Sequence, residues 1–153
     1  MAADTDPKRV VGRIVASMLL VGLGIGLISL LAWEWIDAVI IPDLGGSQVT
    51  VVGNYTPLAF LLIATLGAVV TAGVLGIFEG LRSSDMKSAA FIAAGCLIGA
   101  VLLVMVTGVC VNFTGLETGE SADITPLDLV SLAGLTGIIS APVGALTALV
   151  GAK

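Results

Sequence analysis

The side chains able to do chemistry in this chain are few, and they lie at the edges of its apolar runs. Glu79 precedes Arg82 by three residues, the spacing of an ion pair on one helix face. Carboxylates gather in two further groups: Glu34, Asp37 and Asp43, then Glu117, Glu120 and Asp123. Carboxylate oxygens suit Ca²⁺ or Mg²⁺, but the spacing lacks the alternation of an EF-hand, and solvated acidic loops are the plainer reading. Histidine is absent, which removes the commonest general base and metal ligand. No hydroxyl or thiol therefore has an obvious base beside it. Cys96 and Cys110 stand fourteen residues apart in one apolar run, roughly 21 Å along a helix, too far to bridge each other. Glycines cluster at Gly22, Gly24 and Gly26, but inside an apolar run and after no strand, so they do not form a phosphate loop. The expectation is a non-enzymatic protein with no catalytic residue, metal or cofactor.

Two weaker chemical readings stay open. Asn54-Tyr-Thr56 and Asn112-Phe-Thr114 are glycosylation sequons, and they hold the only two asparagines in the chain. The hydroxyls at mid-depth in the apolar runs are Ser17, Thr65, Thr71, Thr107, Ser131, Thr136 and Ser140. Such groups usually bond their own helix or a neighbour. The alternative is a channel or transporter path lined by Thr65, Thr71, Thr136 and Ser140.

What must position these residues is a set of apolar runs. Of 153 residues, 58% are hydrophobic and 11% charged, far from the one-quarter charged of a soluble domain. A water-soluble core of this size could not hide so much apolar surface, so the solvent is lipid. Four runs are long enough to cross it: residues 10–32, 57–81, 88–111 and 126–150, behind a polar tail at 1–9. The predicted fold is therefore an all-α membrane protein, a bundle of four transmembrane helices in one domain. Trp33 and Trp35 mark a headgroup interface, and Pro42 is a natural stop for the first helix. The outer loop 43–56 carries Gly45-Gly46 as a turn and Val49–Val52 as a short extended candidate, so it is expected to be partly ordered. Thr56-Pro57 reads as an N-cap and first position for the second helix, and Thr125-Pro126 with Asp128 as a capping box for the fourth. Pro142 should kink that last helix, with Ser140 or a neighbour taking the freed carbonyl.

Small residues recur at helical spacing. Ala64, Ala68, Ala72 and Gly76 follow one another every four residues, as do Ala133, Gly137 and Ala141; Gly22 with Gly26 and Gly95 with Gly99 form GxxxG pairs. Such faces let helices approach closely in lipid, where apolar side chains alone give no driving force, and the chain is expected to assemble through them. The second run aligns with the fourth at an offset of 69, Thr56-Pro57-Leu58 on Thr125-Pro126-Leu127. The first aligns with the third at an offset of 73, Gly22 on Gly95 and Gly26 on Gly99, as a duplicated helical hairpin would.

Charge gives orientation. The net charge is −5, and no basic patch of the kind nucleic acid requires is present. All six basic residues fall near the N-terminus, between the second and third runs, or at the C-terminus; the other two loops hold only acids. The positive-inside rule then places both termini in the cytoplasm or interior. Expected partners are the lipid bilayer and either further copies of the chain or other membrane proteins. The build is similar to small four-span proteins of haloarchaeal membranes and of the enveloped viruses that infect such cells. That likeness of architecture and acidity implies a structural role in a membrane complex or virion envelope and assigns no residue a part.

Overall fold

The computed structural model describes residues 6–82, 86–115 and 125–152. Within them the chain forms four long helices and no strand. Helix α1 spans Pro7–Trp35. Asp6 caps it, accepting from the Lys8 amide, and Pro7 takes the first position, where a missing N–H costs nothing. A π-helical turn at Ile36–Ile40 and a 3₁₀ turn at Ile41–Asp43 carry the rod onward. The rod then ends where Leu44 turns extended, just after Pro42.

Helix α2 spans Gly46–Arg82, 37 residues and roughly 55 Å. It corrects two expectations. Val49–Val52 is helical rather than extended, and Thr56-Pro57 lies inside the helix rather than at its start. The outer loop thus shrinks to Leu44 and Gly45. The Gly45 carbonyl accepts the first helical bonds from Gln48 and Val49, and the Gln48 side chain accepts from the Gly45 amide. Pro57 deprives the Gly53 carbonyl of its helical bond.

Helix α3 spans Met86–Gly115 and α4 spans Pro126–Gly151. The predicted capping box opens α4: Thr125 accepts from the Asp128 amide, and Asp128 accepts from the Thr125 amide. All four helices are long and apolar enough to cross a membrane. The polar tail before residue 6, the turn at 83–85 and the acidic loop holding Glu117, Glu120 and Asp123 lie outside the described residues.

Small residues share the core with Ile14, Met18, Ile92, Leu103 and Val104. Ala64, Ala68, Ala72 and Ala100 are wholly buried, while Leu20, Leu27, Leu62, Leu66, Val70 and Ile138 face outward. Large apolar side chains on the outside belong against hydrocarbon, and small ones inside let backbones close up. Helix α3 touches all three others; α1 and α2, although consecutive, meet only slightly. Two of the close pairs are parallel. Gly95, Gly99 and Gly22 of α3 and α1 meet Ile14, Met18 and Leu103 in ascending order, and α2 runs beside α4 in the same sense. The start of α1 and the end of α4 therefore lie at one end of the bundle.

Candidate functional site

At that end, where α2 finishes and α1 begins, Glu79 is buried, its side chain only 7% exposed. A carboxylate so placed needs donors, because an unpaired charge out of water is costly. Arg13 supplies one across the helix interface, its Nη2 donating to Oε2 at 2.8 Å. Arg82 supplies another from the next turn, Nη1 at 3.6 Å from Oε1. The two arginine side chains are themselves 49% and 61% exposed, so the triad is a buried carboxylate held by two partly exposed cations. The Glu79–Arg82 pair follows from spacing alone. Arg13 does not, since it stands 66 positions away and no local pattern pairs it with Glu79.

The small-residue faces form two seams of different character. Between α1 and α3 three glycines receive side chains: a β-carbon at Gly26 would lie 2.8 Å from the Cys110 sulfur and at Gly95 3.2 Å from Ile14, and at Gly99 it would strike Met18; at Gly22 it would lie 3.0 Å from the Leu103 backbone. Glycine does not meet glycine, and the offset of 73 that aligns Gly22 with Gly95 is not the register in which they pack. Between α2 and α4 backbone lies on backbone. A β-carbon at Gly76 would strike the Gly144 carbonyl and the Thr147 hydroxyl, and one at Gly80 the Ala148 carbonyl. Ala133 and Gly137 are buried, Gly137 against Leu97 and Val101 of α3. Ala141 is only half-buried; beyond Gly137 the buried face continues through Ser140, Gly144 and Ala148 instead. The cause is helical drift: steps of four overshoot the 3.6-residue turn, so a long seam must take one step of three.

Several hydroxyls are taken up by backbone carbonyls. Thr65 and Thr136 donate to the carbonyls of Leu62 and Leu132 on their own helices. Thr65 and Thr71 are six residues apart, about 120° around α2, and face different neighbours. Ser140 is fully buried with no partner for its oxygen, so it does not relieve the carbonyl freed by Pro142. Thr107 does cross helices, donating to the Gly22 carbonyl at 3.2 Å, and Ser29 donates to Gly26 in its own helix. Cys96 is buried in the core and Cys110 packs on Gly26; neither is bonded to the other.

Asn54 and Asn112 lie on helical backbone in α2 and α3, not on the loops a sequon favours, and Asn54 is half-buried. Among the described residues no three acidic or thiol side chains gather as a metal site. Comparison with family models, characterised proteins and solved structures returns no match.

Proposed function

We propose that this chain is a non-enzymatic structural membrane protein, a scaffold subunit of a membrane complex or of a virion-type envelope. The observation that carries the reading is how its polar and small groups are used. The glycine and alanine faces close the bundle on itself, and the buried hydroxyls of Ser29, Thr107 and Thr136 bond backbone carbonyls of the bundle. What remains for partners is the outer surface. The small-residue faces suggested for assembly in the sequence are therefore assigned to the fold, and assembly moves to the elbow where α1 and α2 overshoot the bilayer. There Trp35, Val39, Val51 and Tyr55 stand exposed beside Glu34, Asp37 and Asp43. An apolar elbow in the wet zone is the kind of surface that another subunit covers.

Chemical cross-linking through single cysteines at Val51 or Tyr55, in native membranes, tests this. Discrete cross-linked species with copies or other membrane proteins are expected. Exclusively uncross-linked protein, together with liposome flux that Thr71→Val abolishes, would replace the scaffold with a transporter.

A further inference from the structure

The basic end of the bundle carries a feature that the scaffold reading does not use. We propose that Arg13 and Arg82 together hold the anionic headgroup of a membrane phospholipid. The two guanidiniums are brought side by side by a single buried carboxylate, one from α1 and one from α2. Glu79 neutralises one charge of the two, so the triad keeps a net positive charge. Each guanidinium has five N–H donors in a planar fork, and one carboxylate engages only part of the combined set. The remaining donors project where the side chains are half exposed, and phosphate is the oxyanion whose geometry such forks match.

Position selects lipid over a free anion. Arg13 lies three residues into the first apolar run and Arg82 at the end of the second, which is headgroup depth. Beside Arg82 on the same helix, Phe78 and Leu81 are exposed, apolar surface for the acyl chains of the lipid whose phosphate the arginines hold. The surroundings add to the field. Lys8 and Arg9 of α1 are exposed at the same end, against Asp6, which lies 4.0 Å from Arg9. Basic clusters between helix ends on the inner side of a membrane are where anionic headgroups bind.

Native mass spectrometry of the detergent-released full chain, titrated with phosphatidylglycerol or phosphatidylcholine, tests the site. Phosphatidylglycerol adducts are expected at lipid concentrations at least tenfold below those needed for phosphatidylcholine. Arg82→Gln spares the Arg13–Glu79 bond and should weaken phosphatidylglycerol binding about tenfold, while Lys87→Gln should change it less than twofold. Equal binding of the two lipids by the unaltered chain would overturn the proposal, and that comparison needs no variant to fold. Unchanged phosphatidylglycerol binding by folded Arg82→Gln would overturn it too, as would displacement of the lipid by equimolar inorganic phosphate.

Discussion

Ser140 shows what a single buried atom can cost. Its side chain is fully enclosed and its oxygen finds no partner, two residues before a proline that leaves the Ile138 carbonyl without its helical donor. A hydroxyl that is desolvated and unbonded costs about 1–3 kcal/mol. Ser140→Ala should therefore raise stability by about 1 kcal/mol, read as a later midpoint in SDS-driven unfolding of the protein in mixed micelles. A loss of similar size would mean that the hydroxyl has a partner after all. Thr107 is the opposite case, a hydroxyl that ties α3 to the Gly22 carbonyl of α1, a contact worth on the order of 0.6 kcal/mol in membranes. At this scale the sequence is legible only locally. The Glu79–Arg82 pair and the Thr125–Asp128 box are written in spacings of three, whereas Arg13 and Thr107 find their partners through tertiary packing that no short window encodes.

The helices differ in what their glycines do, and that difference is testable. At Gly76 and Gly80 an added β-carbon meets backbone carbonyls of α4, which cannot swing aside; at Gly24 it meets nothing within 4 Å. Gly76→Ala should cost about 1–3 kcal/mol through overpacking, while Gly24→Ala should be neutral or gain about 0.5–1 kcal/mol from helix propensity, both by the same unfolding assay. Equal effects at the two positions would refute the backbone-on-backbone seam. Helix α2 poses a second test. Its first turns hold Val49, Val51 and Val52, and the β preference of those valines makes the segment look extended; tertiary and backbone satisfaction override so weak a bias. Spin labels placed singly along residues 47–55 should show accessibility with a period near 3.6 residues, and a period of 2 would restore the strand. The existence of four rods was legible because their apolar runs are long and uncharged. The true start of α2 was not, because Thr56-Pro57 carries every local mark of a helix beginning and yet sits in mid-helix. The seam on α4 was legible as far as Gly137 and then lost, since a strict step of four cannot follow a helix for its whole length.

As a whole the molecule is polar along its long axis. Lys8, Arg9, Arg13, Arg82 and Lys87 gather, with Asp6 and Glu79 among them, at the end where α1 begins and α4 finishes, while Glu34, Asp37, Asp43 and Asp128 stand at the other, where no described residue is basic. Between them lies a belt of exposed leucine, isoleucine and valine around a core in which alanines pack with Ile14, Met18, Ile92, Leu103 and Val104. Charge segregation of this kind orients a protein in a bilayer, and the belt gives it a reason to be there. The most direct test is topology mapping in intact cells or sealed vesicles. With both native cysteines replaced by alanine, single cysteines are placed at Lys8, Gly45, Lys87, Glu120 and Ala152 and exposed to a membrane-impermeant thiol reagent. Gly45→Cys and Glu120→Cys should label from the outside, and Lys8→Cys, Lys87→Cys and Ala152→Cys only after the membrane is opened. Labelling of Lys8→Cys and Ala152→Cys from opposite sides, or of all five without opening the membrane, would contradict a four-span bundle with its basic end inward.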